Sequence, residues 1–112
     1  MRTKVPKHPA GLAKNYPEVW GAFEKLADRC HQAGPLDART RRLVKLGIAI
    51  GKASEGAVHA QVRNALADGI PPEALRHVVL LGLTTVGFPA AMAAMSWMED
   101  LLPQRARRRQ RR

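Results

Sequence analysis

The sequence predicts an all-α protein of five to six helices, and three observations carry that prediction. Apolar residues recur at intervals of three and four through most of the 112 residues. Proline and glycine fall where those runs begin and end. No segment shows the alternation of apolar and polar residues that a half-buried strand requires. The predicted organisation is an extended N-terminal arm over residues 1–16, a helical domain over 17–102, and an arginine-rich, disordered tail over 103–112.

The arm is read as extended because Pro6, Pro9, Gly11 and Pro17 crowd it. From Pro17, a residue suited to the first helical position, Val19, Trp20, Phe23, Leu26, Ala27 and Cys30 mark an apolar stripe that Gly34 and Pro35 end. Cys30 lies on the stripe and is expected to be a small buried hydrophobe. A second helix runs from the N-cap Asp37 to about Lys52, with Leu43, Val44, Leu46, Ile48 and Ile50 as its apolar positions. A third, SEGAVHAQVRNALAD, spans about Ser54 to Asp68 and closes at Gly69. Ile70 and Pro71 turn the chain into a helix that starts near Pro72, with Glu73 in its first turn. Its continuation, HVVLLGLTTVG at 77–87, is apolar almost all round and is expected to be buried on every side, a burial that so short a chain achieves by associating with other subunits. Gly87, Phe88 and Pro89 then start a last helix to Leu102, whose Met92, Met95, Trp97 and Met98 suit a core or a subunit interface.

Composition narrows the function classes. The chain carries a formal charge of +10, but Arg105, Arg107, Arg108, Arg109, Arg111 and Arg112 account for six of those charges, and +4 remains without them. This tail can bind phosphates without sequence preference, because it has no interleaved aromatic residues to stack on bases. Weak, nonspecific nucleic-acid binding through the tail is weighed against a merely solubilising terminus. Cys30 is the single cysteine, so there is no intramolecular disulfide, no Cys-x-x-Cys and no Cys/His cluster for zinc. No metal and no cofactor are expected, and the chain reads as a reduced, cytoplasmic protein. No apolar run approaches the ~20 residues needed to span a bilayer, so no membrane partner is expected.

The chemistry-bearing residues gather at 55–63. On a helical wheel Val58, Val62, Ala65 and Leu66 define the core face, and Glu55 lies about 40° from its centre, with His59 and Gln61 about 80° to either side. Glu55 and His59 are four apart and so can touch, and Arg63 continues the row. A Glu–His pair can serve as a general base and its orienter. The same pair at a helix flank can equally be an ion pair worth a few tenths of a kcal/mol. A carboxylate near a core face requires a partner, for which His59 and then Arg42 are the nearest candidates.

The order of these features, from LDARTRRLVKLGIAIGKASEGAVHAQVRNALADGIPPEALRHVVLL to GFPAAMAAMSWMEDLL, resembles the carboxymuconolactone decarboxylase family, which includes the alkylhydroperoxidase D-like proteins. The resemblance implies an all-α fold assembled as a homo-oligomer, a trimer or a hexamer. It also implies either dithiol peroxidase chemistry or decarboxylation of a lactone. Carried over position by position, the peroxidase centre's two thiols fall on Ser54 and Ala57, its histidine on Gln61 and its upstream glutamate on Arg42. All four are changed, and without a thiolate the dithiol reaction is not expected. The expected alternative is acid–base chemistry on a small carboxylate-bearing or lactone-like substrate. In that reading Glu55 and His59 are the catalytic candidates, and Arg42, Gln61 and Arg63 are the substrate-binding ones. A non-catalytic oligomeric scaffold, a residual peroxiredoxin-type antioxidant role and polyanion binding through the tail are the readings that compete with it.

Overall fold

The computed structural model describes residues 7–103, so the tail arginines Arg105, Arg107, Arg108, Arg109, Arg111 and Arg112 lie outside the described residues. Among the described residues six helices follow one another: α1 (Lys7–Asn15), α2 (Pro17–Gln32), α3 (Ala38–Lys52), α4 (Glu55–Ala67), α5 (Pro72–Gly82) and α6 (Phe88–Glu99). There is no strand among the described residues, as the sequence predicts. The chain forms two compact units, Met1–Arg41 and Arg42–Arg112, where the sequence suggests one helical domain from 17 to 102.

In the first unit α1 and α2 pack on each other. The extended arm expected over 1–16 is thus corrected to a helix over Lys7–Asn15. Pro9 is the third residue of α1, where the missing N–H would have no intrahelical partner, so the proline removes no hydrogen bond. What stops α1 is Pro17, which disfavours helical geometry in the residue before it: Tyr16 sits at φ −137° and ψ 64°. α2 starts on that proline. The stripe of α2 does not enter a core, since none of its residues is buried and Val19, Phe23 and Leu26 are each more than half exposed. Trp20 and Phe23 instead stack on each other at 5.5 Å between ring centroids. Cys30, expected inside, is exposed. Two short helices do not enclose enough volume to bury a full apolar stripe.

α3 begins as predicted, on Asp37. Its carboxylate accepts the Thr40 backbone N–H at 2.8 Å, and this bond, with the Thr40 side chain and the nearby guanidinium groups of Arg41 and Arg39, holds the Asp37 carboxyl below its ordinary value.

The second unit holds the core. Leu46, Ala49 and Ile50 of α3, Val58, Val62 and Ala65 of α4, Leu75 and Val79 of α5, and Ala91, Ala94 and Met98 of α6 are all buried. Apart from the adjacent Ala49 and Ile50, the intervals within each helix are three or four residues, or their sum, so each helix turns one stripe inward. The predicted core face of α4 is confirmed in Val58, Val62 and Ala65. α6 packs against both α4 and α5. Arg76 of α5 also reaches Glu99 of α6 with two bonds, 2.8 Å from Nε and 3.2 Å from Nη2, which hold the guanidinium above its ordinary pKa.

α4 is fixed at both ends by its own sequence. Ser54 accepts the Ala57 N–H at 3.2 Å, an N-cap. At the other end Gly69 takes φ +82°, its N–H donates to Leu66 O, and the Ile70 N–H donates to Ala65 O, both at 3.0 Å. These two bonds make a Schellman motif, and buried Ile70 supplies its hydrophobic contact. Gly69→Ala is therefore expected to cost about 1 kcal/mol, because a Cβ disfavours the left-handed conformation. Chemical denaturation at fixed pH measures it.

α5 ends earlier than its apolar pattern suggests. The helix stops at Gly82, and a turn closes with the Thr85 and Val86 N–H groups on Gly82 O at 2.9 and 2.8 Å. The Thr85 hydroxyl also donates to Leu81 O. Nor is α5 buried on every side within one chain, because Leu80 is 50% and Leu81 60% exposed.

Candidate functional site

α4 and the end of α6 bring together the one constellation of acid–base groups that the sequence half revealed. Glu55 is the first residue of α4 and His59 lies one turn on. The sequence argument asked for a partner to offset the burial of Glu55, but Glu55 is exposed, because a first helical residue projects from the helix end. Its negative charge suits that position, where the helix dipole is positive.

His59 is half-buried and faces α6. Its Nε2 lies 3.1 Å from the Trp97 carbonyl oxygen and 3.6 Å from Asp100 Oδ2. A carbonyl only accepts, so Nε2 carries the proton in this bond and Nδ1 the lone pair. The Trp97 carbonyl is free to accept because it belongs to the last turn of α6, where the Leu101 N–H turns back to Met98 O instead. His59 thereby acts as a side-chain cap on α6. Glu55, His59 and Asp100 place their ligand-type atoms within 4.8 Å of one another.

Asp100 is the member of this candidate cluster that the sequence reasoning misses. It lies 41 positions beyond His59, and no local spacing signals that the end of α6 meets the first turns of α4.

The other sequence-predicted residues are dispersed. Arg42 is no partner of Glu55: its Nε pairs with Asp68 Oδ2 at 2.9 Å, at the far end of α4. Thirteen residues separate Glu55 from Asp68, roughly 20 Å of helix at 1.5 Å per residue. Arg42 thus leaves the list of anion-holding candidates, since α3 delivers it to the α4 C-terminus. Arg63 is half-buried one turn beyond His59. Gln61 is half-buried too, and its Oε1 is a buried acceptor without a partner among the described residues. Ser54, at one of the thiol positions of the peroxidase pattern, serves as a helix cap.

A separate cavity of about 240 Å³ lies between α3 and α5. Its walls are Gly47, Ile50, Val78, Leu81, Gly82, Thr85 and Val86, so it presents one hydroxyl and otherwise apolar surface. None of Glu55, His59 and Asp100 lines it.

An all-α chain, six-helical over the described residues, with an imidazole bonded to a backbone carbonyl and two carboxylates within 4.8 Å of it, defines a small helical protein with the groups for proton transfer, without a thiol pair. The chain belongs to the carboxymuconolactone decarboxylase family, which matches over residues 17–100, about three quarters of its length. The match includes α2, upstream of the residues that carry the resemblance in the sequence. A protein of Methanocaldococcus jannaschii, described as uncharacterised, is 32% identical over 91 residues, covering 80% of this chain and 88% of that relative. No helix among the described residues is long and apolar enough to cross a membrane.

Proposed function

We propose that this protein carries out acid–base chemistry on a small lactone or carboxylate, with His59 as the group that moves the proton. The observation that carries the reading is the geometry around His59: Trp97 O fixes its ring and its Nε2 proton, while Glu55 and Asp100 bring carboxylates beside it. Decarboxylation leaves an electron pair on carbon that must receive a proton, and an imidazole whose Nε2–H is fixed keeps Nδ1 free to take a proton from water or substrate as base and then hand it to that carbon as acid. Glu55, exposed and one turn away, acts as the companion base or orienter. Arg63, continuing the row on α4, holds an anionic group of the substrate. Release of carbon dioxide from carboxymuconolactone by purified protein, with Glu55→Gln and His59→Ala beside it, tests the reading. Turnover that survives both substitutions sinks it, as does an absence of turnover in the unsubstituted chain.

A second reading, a homo-oligomeric scaffold, is favoured by one specific observation. Val44, Ile48, Leu80, Leu81 and Phe88 of the second unit are each 45 to 67% exposed, and large contiguous apolar patches mark association surfaces. In this reading His59 is only the cap of α6. Ile48→Glu with Leu81→Glu is expected to lower the mass measured by light scattering to that of a monomer of 12.3 kDa. If the unsubstituted chain already runs as a monomer, the scaffold reading fails.

A further inference from the structure

We propose that the cavity between α3 and α5 is a binding site for a small, uncharged, ring-sized organic molecule of the phenol or indole kind. The site is separate from the acid–base reading, since none of Glu55, His59 and Asp100 lines it.

The walls set the chemistry of the ligand. No wall residue is charged, so a carboxylate or an ammonium group inside would lose its hydration without gaining a partner. Thr85 supplies the one polar side chain, and its hydroxyl proton is already given to Leu81 O at 3.2 Å. What remains to a ligand is the acceptor oxygen, which a hydroxyl or an N–H satisfies. Water is a poor occupant, because an ordered water takes roughly two to four polar partners and the side chains of this lining offer one.

Depth and volume set its orientation and size. The floor is at Ile50, 2% exposed, and the mouth is at Leu81 and Thr85, both exposed. An apolar ring therefore lies inward, with a polar atom at the mouth beside Thr85. An apolar cavity of about 150 Å³ holds benzene. The larger volume here, about 240 Å³, accommodates two fused rings or a ring with one further small group.

A second, independent observation comes from two glycines of the walls. Gly47 lies inside α3 and Gly82 ends α5, although glycine is, after proline, the residue that helices favour least. Neither has the positive φ that would call for glycine. Close packing does not call for it either. A Cβ on Gly47 would meet only Val78 Cγ1, at 3.9 Å, and one on Gly82 would meet Val86 Cγ2 at 3.6 Å and Ile50 Cγ2 at 3.8 Å, all ordinary contacts. Val78, Val86 and Ile50 are themselves wall residues, so the added carbons would stand in the cavity. Alanine at both positions would favour the helices and fill part of a void that packed interiors rarely leave. What the two glycines supply is open volume.

The test is a calorimetric titration of the full chain with indole, and separately with benzoate as a charged molecule of similar size. Indole is expected to bind once per chain with Kd on the order of 0.1–1 mM, and benzoate at least tenfold more weakly. Gly47→Leu, which fills the cavity, should abolish indole binding. Gly47→Ala with Gly82→Ala should weaken it at least threefold while raising the melting temperature, a pair of opposite signs that damage to the fold does not produce. Should Gly47→Leu fail to fold by far-ultraviolet circular dichroism, the double alanine variant decides. An unsubstituted chain that does not bind indole overturns the proposal, as does equal binding by the double alanine variant or equal binding of benzoate. Light scattering addresses the other occupant, a second copy of the chain: an oligomer that binds no indole and that Gly47→Leu dissociates assigns the cavity to subunit association and overturns the proposal. Carbon dioxide release plays no part in these readouts, so failure of the catalytic reading leaves them standing.

Discussion

Leu75→Ala is expected to destabilise the protein by about 2–5 kcal/mol, as leucine truncation in a packed core does. Leu75 has no exposed surface and lies on the inward stripe of α5 with Val79. The substitution removes three carbons from water-free surroundings and leaves a cavity that the neighbouring helices fill only in part. The core in question consists of thirteen residues, five of them no larger than alanine or valine on α4 and α6 alone: Val58, Val62, Ala65, Ala91 and Ala94. Small side chains allow close helix packing, but each supplies little transfer free energy, so the larger ones, of which Leu46, Leu75 and Met98 have no exposed surface, carry a large share. Domains of this size are stable by about 5–15 kcal/mol, and a loss of several leaves the folded state marginal. Urea denaturation followed by helical circular dichroism measures the change. Leu81→Ala, at a side chain 60% exposed, is the control, expected to shift the monomer's stability by no more than about 0.5 kcal/mol.

The fold was legible where the sequence encodes its own stops. Asp37, Ser54 and Gly69 each act at short range: Asp37 and Gly69 cap the helices they were expected to cap, and Ser54, expected at the start of its helix, is its N-cap. The periodicity of α4 likewise located Val58, Val62 and Ala65. One reading failed because context reverses the usual meaning of a residue. Pro9 looks like a helix breaker, yet in the first turn of α1 it blocks nothing. The apolar circumference of α5 is read as burial against other subunits, and a single chain covers only the side with Leu75 and Val79. A sequence records how apolar a helix is, but not how many neighbours a single chain provides for it.

The candidate site was legible by half. Glu55 and His59 share a helix, so their proximity follows from four-residue spacing. Asp100 and the Trp97 carbonyl join them only through the packing of α4 on α6, a tertiary fact without a local signal. Arg42 shows the reverse error. In the sequence it was, after His59, the nearest candidate partner for Glu55, but α3 carries it to Asp68, at the opposite end of α4.

His59→Ala is expected to lower the proposed turnover by about 10²–10⁴-fold, the usual contribution of a positioned acid or base. The same substitution removes a cap from α6 and so costs about 0.5–1.5 kcal/mol of stability, the net value of one hydrogen bond. Measured rate alone would therefore mix chemistry with unfolding. Asp100→Asn separates them, because the Trp97 carbonyl, at 3.1 Å against 3.6 Å for Asp100, continues to hold the ring. That variant should keep the fold and KM while kcat falls by about 10-fold or more, as removal of a charged neighbour from a catalytic histidine does. Free imidazole supplies the final discrimination. If His59 moves a proton, added imidazole restores part of the turnover of His59→Ala in proportion to its concentration; if His59 only caps α6, the added base restores none, and any loss of turnover follows the fraction unfolded.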